Sequence, residues 1–379
     1  MDYATVYVIC PDFAPPSGGV KQLYRHVDIL NRHGIRAFIV HQRRGFRVRY
    51  FHHSTPIVYN RKIFTELNPP RQLAWKRRMI GAVRRTLAVA FRSADRRAFL
   101  AVAWHRWRLH EVTFGPRDIL VMPEIYGPNL ARAAPGLRKI VFNQNAHYTF
   151  WGYSWMRAEV PTPYEAGDFM ATIVISDQNL AYLQYAFPDH PFRRVHYGFD
   201  PAVFAFSACK QRQVAFMTRK LPDDVEQVIN LIRVRRALPG FQLVAIENLN
   251  EQGVARILRD AMIFLSFSHR EGCPMPPTEA MACGCVVIGY DGFGGREYFK
   301  PEFSYPVPEG DVVAFVQTIE RAMEDYRRDP DGFLTKGRLA SEFVARNYSL
   351  RREEEDVIAF WTGLSKEPAR RLAVATAPR

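Results

Sequence analysis

The sequence predicts two α/β domains in tandem, each a doubly wound parallel sheet. Three observations carry that reading. The chain has 379 residues, more than one ordinary domain and enough for two of roughly 150–200 residues each. Short runs such as TVYVIC (5–10), DILVM (118–122), QVAFM (213–217) and CVVIGY (285–290) are apolar almost throughout, the pattern of strands covered on both faces. Segments of helical period alternate with these runs, which is how parallel strands are connected.

Taken in order, residues 5–10 read as the first buried strand. A loop holding Pro15, Pro16, Gly18 and Gly19 follows. KQLYRHVDILNRHG then reads as a helix, with Leu23, Val27 and Leu30 on one face and Gly34 as its stop. IRAFIV (35–40) is the next strand, completing a βαβ unit. Strands return at 118–122, 139–143 and 172–176, the last two separated by an aromatic loop with Tyr148, Phe150, Trp151, Tyr153 and Trp155. The aperiodic, proline-bearing stretch 187–200 marks the junction between domains. Beyond it come strands at 213–217, 242–246, 262–266 and 285–290, with helices at 224–237 and 251–260. The resulting division is 1–190, 196–350, a helix at 351–366 packing back on the first domain, and a loose tail at 367–379.

Charge is unevenly placed. Residues 1–195 carry 28 Lys and Arg against 13 Asp and Glu, a net +15, whereas the remainder is −1. Such asymmetry points to an anionic partner for the first half. Residues 71–110 hold 11 basic residues and a single acid, Asp95, with Trp75, Met79, Val83 and Leu87 at helical spacing. That pattern suits a basic amphipathic helix on an anionic membrane surface; packing on the first sheet with solvated arginines is the plainer reading. No nucleic-acid partner is expected. The opening MDYATVYVICPDF reads as a strand and not as a secretory signal. Five cysteines, an odd number sited along apolar runs, fit a reducing, cytoplasmic setting.

The densest constellation is 262–299. A strand runs into a loop ending at Pro276-Pro277, a short helix over 277–283 follows, Gly284 stops it, and a strand resumes at once. A helix amino end at the carboxyl end of a parallel strand is an anion site. Glu279, placed in that helix's first turn, can accept hydrogen bonds from a vicinal diol such as ribose. Glu271, in the loop before it, can reach a sugar beyond the phosphates. Taken singly, a capping carboxylate and a solvated loop acid would be the better explanations; the strand–loop–helix–Gly–strand context turns both toward a site. Asp329-Pro330-Asp331 imitates a metal motif but reads as a turn.

The run EGCPMPPTEAMACGCVVIGYD resembles the glutamate-x7-glutamate signature of family 4 retaining glycosyltransferases, which have the GT-B fold: two Rossmann-like domains facing across a cleft. Weaker pieces agree in order: APPSGGVKQLYRHVDILNRHGIRAFIV, VISDQN, HYGFDPAVF and ILRDAMIFLSFSHREG. The resemblance covers about residues 5–40 and 170–365. It implies a nucleotide-sugar donor on the second domain, a glycan or lipid-linked acceptor on the first, and retention without a metal or other cofactor. Carried over, Glu279 binds the donor ribose and Glu271 the transferred sugar. Pro274, Met275 and Pro276 face sugar and phosphates, Gly18 and Gly19 let a loop approach the pyrophosphate, and Arg219 pairs the diphosphate. Position 224, usually lysine, is Asp, so Lys220 stands in. Pro274 replaces a residue that is often glycine. His147 corresponds to a first-domain histidine that touches the sugar, with Asn145 a weaker candidate. Two other functions fit the same fold: a nucleotide-sugar epimerase, which needs no acceptor, and a non-catalytic binder of anionic surfaces.

Overall fold

The computed structural model describes residues 4–69, 111–156 and 161–364. The basic stretch 71–110 and the tail 367–379 lie outside the described residues.

Seven parallel strands form the first sheet: β1 (Val6–Ile9), β2 (Ala37–His41), β3 (Ile57–Tyr59), β4 (Ile119–Pro123), β5 (Arg138–Asn143), β6 (Phe169–Val174) and β7 (Phe192–Arg194). Their order is β3-β2-β1-β4-β5-β6-β7, with Val6 in register with both Ala37 and Ile119. Every residue of β1 and β4 is buried, as strands sandwiched between two layers require. The second sheet contains β8 (Gln211–Met217), β9 (Gln242–Ile246), β10 (Ala261–Glu271), β11 (Val286–Phe293) and β12 (Ser304–Val307), in the parallel order β12-β11-β10-β8-β9. The chain reverses direction across the first sheet between β1 and β4, and across the second between β8 and β10. Those are the switch points where doubly wound sheets open a crevice at their carboxyl ends.

Helix α1 (Gly18–Arg32) starts earlier than its sequence suggests. Ser17 is its N-cap, its Oγ accepting from the Val20 amide at 3.4 Å. Gly18 and Gly19 are therefore the first helical residues, not part of a loop. Val20, Leu23, Tyr24, Val27 and Leu30 turn inward and cover the sheet. The remaining helices are α2 (Arg61–Leu67), α3 (Asp177–Ala186), α4 (Pro222–Arg235), α5 (Glu251–Asp260), α6 (Met275–Ala282), α7 (Val312–Arg328), α8 (Pro330–Asn347) and α9 (Leu350–Leu364).

Several boundaries differ from the sequence reading. The short strands β3 and β12 and helix α2 carry too few residues to show a period. β7 pairs with β6 beyond the boundary drawn at residue 190, so the first sheet runs to 194. β10 continues past Ser266 and Ser268, whose hydroxyls look like a strand end but are satisfied within the sheet, Ser266 Oγ donating to the Tyr290 carbonyl at 2.8 Å. Helix α6 begins at Met275, which moves Glu279 into its second turn. Asp329 is no loose turn: it caps α8, its Oδ1 accepting from the Gly332 amide at 2.9 Å.

The last helix reaches back to the first domain. Trp361 of α9 is wholly buried and donates through Nε1 to His26 Nε2 of α1 at 2.9 Å, while Arg25 of α1 pairs with Glu353. All five cysteines are free thiols.

Candidate active site

The carboxyl ends of the two sheets face one cavity of about 890 Å³. The first-domain wall comes from the loop after β1 and the start of α1, from Glu124 after β4, and from Gln144, Asn145 and Tyr148 after β5. The second-domain wall comes from Arg219 and Lys220 after β8, Asn248 and Glu251 after β9, and Glu271 to Cys273, Met275, Pro276 and Glu279 after β10. Residues separated by 250 positions thus share one space because each follows a strand that ends there.

Close backbone contacts hold the walls in place. A Cβ on Gly272 would come within 2.1 Å of the Gln144 carbonyl oxygen, so the second domain's loop lies directly on the first domain. A Cβ on Gly18 would come within 2.3 Å of Met275 Sδ. Asn145 Nδ2 donates to the Arg270 carbonyl at 2.8 Å, Arg219 Nη1 donates to the Pro16 carbonyl at 3.1 Å, and Lys21 pairs with Glu251.

The second sheet stores strain at this edge. Leu221, Asn248, Arg270 and Phe293 all have left-handed backbone, with φ of 44°, 52°, 44° and 68°. Each lies at or just past the carboxyl end of β8, β9, β10 or β11. Such conformations cost a non-glycine residue on the order of 1–2 kcal/mol and persist where surrounding structure fixes them.

Glu271 and Lys220 form an ion pair at 2.5 Å. Glu279 is partly buried, and burial pushes its carboxyl up to about 7, opposed by the nearby Lys21 charge and reinforced by Glu251. Met275 and Pro276, the first residues of α6, line the cavity, as do Gly18 and Gly19. The approaches that these glycines permit are to protein atoms: Gly18 to Met275 on the opposite wall, and Gly19 to its own wall, where a Cβ would meet Gln144 Oε1 at 2.4 Å.

Two of the residues singled out from sequence stand off the cavity. Pro274 is buried behind it, its carbonyl accepting from Thr278 Oγ1 at 2.9 Å and Tyr298 Oη at 2.6 Å. His147 does not line it either. Its ring lies 5.4 Å from Phe293 and 6.3 Å from Tyr182, and its Nε2 is buried with no hydrogen-bond partner among the described residues. Burial, and after it the Arg270 charge, lowers the affinity of this imidazole for a proton. Asn145 is on the wall, and its Oδ1 accepts from the His147 amide at 3.1 Å.

The structure adds residues that the sequence reading missed. Glu124 is 3% exposed, accepts from the Gln144 amide at 3.1 Å, and is pushed up to about 7 by burial. Gln144 Nε2 donates to the Gly19 carbonyl at 3.2 Å, and Lys21 extends from α1 toward Glu251 and Glu279. The available signal was position: Glu124 is the first polar residue after the all-apolar β4, and Gln144 is the first residue past the end of β5.

Two parallel sheets opposed across a cleft, with the final helix crossing back, decide the architecture. The fold is GT-B. Solved structures agree over nearly the whole chain. Sucrose-phosphate synthase from Thermosynechococcus elongatus superposes with a TM-score of 0.60 at 14% identity, covering 95% of this chain and 99% of that one. The pneumococcal O-GlcNAc transferase GtfA, solved with UDP and GlcNAc, gives 0.60 at 12% identity, covering 97% and 100%. Residues 238–333 match the family model described as Glycosyl transferases group 1, a segment holding both Glu271 and Glu279. A curated relative, the alpha-1,6-glucosyltransferase of Actinobacillus pleuropneumoniae serotype 7, is 28% identical over 227 residues. That match takes in 57% of this chain and 66% of the relative's length. Among the described residues no helix is long and apolar enough to cross a membrane.

Proposed function

We propose that this GT-B chain is a retaining glycosyltransferase that moves a hexose from a nucleoside diphosphate sugar to a hydroxyl of a glycan acceptor. The observation that carries this reading is the convergence, on one cavity between the sheets, of Glu271 paired with Lys220, Glu279, Arg219 and the amino end of α6. The names of the matched relatives, a glucosyltransferase and a transferase solved with UDP, support the donor class.

In this reading Glu279 accepts from the ribose diol, and Arg219 and Lys220 meet the diphosphate together with the backbone amide of Met275 at the positive dipole end of α6, where Pro274, Pro276 and Pro277 have no N–H to offer. Glu271 meets the sugar and releases Lys220 to the phosphates. The acceptor oxygen bonds to the anomeric carbon on the face that the diphosphate leaves. The bond from that carbon to phosphate oxygen breaks, and its electron pair stays on the diphosphate, which takes the acceptor's proton. Positioning and charge stabilisation carry such a barrier. These cations and that amide do the neutralising in the proposed step, so transfer is expected to survive EDTA; activity lost in EDTA and restored by manganese or magnesium would overturn that part.

The test is thermal stabilisation by UDP. At 100 times Kd the gain is about 2.7 kcal/mol. Glu279→Ala should lose most of the shift. If UDP and the other nucleoside diphosphates shift neither protein, the reading fails.

A further inference from the structure

The aromatic loop after β5 has no part in the donor site, yet it is built with care. Asn143 Nδ2 donates to the buried Thr149 Oγ1 at 3.1 Å, and the Trp151 amide donates to the Tyr148 carbonyl at 2.9 Å. Phe150 leans on Phe187 and Tyr153, with ring centroids 6.0 and 5.9 Å away. Gly127, at φ 53°, sits where a Cβ would come within 2.1 Å of the Trp151 carbonyl oxygen. The backbone is thus fixed from both sides, and the exposure of its outer rings is imposed by the fold. Trp151 is 61% exposed and Tyr148 37%. Their centroids lie 5.2 Å apart with planes 40° apart, a shallow step of two aromatic faces turned outward.

Tyr148 also lines the cavity, so the step is continuous with it. We infer that Tyr148 and Trp151 form an acceptor subsite for a gluco-configured oligosaccharide, gripping the units behind the one whose hydroxyl is glycosylated. A pyranose with equatorial hydroxyls carries its C–H hydrogens on its two faces. Those hydrogens are weakly positive and seat on the negative face of an aromatic ring, while the hydroxyls stay in water. The spacing of the two rings is about the advance of one pyranose unit along a chain. A bilayer would also accept exposed aromatic residues, but it cannot follow Tyr148 into a cleft shared with Glu124 and Gln144.

This inference rests on the transferase reading, and the experiment separates the two. Initial rates are measured with UDP-glucose and α-1,6-linked gluco-oligosaccharides from one to about six units, on wild type, Trp151→Ala and Trp151→Phe. UDP thermal stabilisation of the wild type is measured alongside. In the wild type, KM should fall as the acceptor lengthens beyond one unit. Trp151→Ala should raise KM for the longer acceptors about tenfold and flatten that dependence, and Trp151→Phe should restore most of it. Absence of a UDP shift would remove the transferase reading itself. A UDP shift with no length dependence in the wild type, or with Trp151→Ala matching wild type at every length, would overturn this subsite alone. So would loss, in Trp151→Ala, of binding to neutral phosphatidylcholine vesicles with its acceptor kinetics intact, which would make the step a membrane contact.

Discussion

The two walls of the cleft are made by different means. The second domain presents its chemistry from short consecutive runs, Arg219-Lys220 and Glu271 to Glu279, and fixes their directions with left-handed backbone at the ends of four strands. Among its described residues the first domain has one non-glycine residue of that kind, Ala134, which does not line the cavity. Its wall joins the run from Pro15 to Lys21 with scattered residues after other strands, Glu124, Gln144 and Tyr148, held by hydrogen bonds and packing. Charge shows the same contrast. The first half carries the +15, yet among its described residues Lys21 is the one Lys or Arg on the cavity, while the second half, at −1, supplies Arg219 and Lys220. Among the described residues, then, the basic excess of the first half is not what lines the cavity. One wall is stiff and written compactly; the other is assembled by the fold.

The sharpest way to break this contrast is at the seam. Gly272→Ala inserts a methyl group where the Gln144 carbonyl already stands, backbone against backbone, and neither side can yield cheaply. Transfer should fall at least a hundredfold, about 2.7 kcal/mol in barrier. Gly167→Ala, where nothing lies within 4 Å and the backbone is not left-handed, should leave transfer near the wild-type rate. Comparable activity in both variants would mean that the walls do not need this register.

Glu124 tests the assembled wall. Its folded carboxyl titrates at about 7, above the ordinary 4.5. A raised carboxyl contributes stability that is fully present below about 4.5 and lost as pH rises through 7. Glu124→Gln keeps an oxygen for the Gln144 amide and has no charge to bury. It should be more stable than wild type at pH 8, by on the order of 2–3 kcal/mol, with the difference vanishing near pH 4.5. Parallel urea curves at both pH values would show otherwise if the gap stayed constant.

Glu279 tests the compact wall. With its carboxyl raised to about 7, UDP-glucose must bind the ionised fraction to receive the diol's hydrogen bonds. Affinity should rise about tenfold between pH 6 and pH 8, on the order of 1.4 kcal/mol. Glu279→Gln should bind more weakly and lose the pH dependence. A wild-type profile as flat as the variant's would remove this role.

The smallest effect is expected at His147, whose ring supports Phe293 from behind the cavity. His147→Ala should slow turnover by less than tenfold, with UDP affinity unchanged. A larger loss, beyond about 1.4 kcal/mol, would mean that the unpartnered Nε2 reaches the sugar after all.

Legibility follows the same division. Nine strands announced themselves because a parallel strand is apolar on both faces, β1 among them although it has only four residues, and α5 and β9 fall where periodicity put them. The pair Glu271 and Glu279 was readable because strand, loop, helix and strand are adjacent in the chain, so local spacing there is also spatial spacing. By contrast β3, β7 and β12 have three or four residues each, too few for a period, and form only because a neighbouring strand offers its edge. Glu279's turn within α6, the retreat of Pro274 and His147 from the cavity, and the convergence of Lys21, Glu124 and Gln144 with Glu279 were decided by packing. Sequence alone determined which apolar runs become strands of the two sheets. Only the tertiary structure decided which strand ends meet, because the order β3-β2-β1-β4-β5-β6-β7 and the opposition of two sheets depend on contacts between residues far apart in the chain.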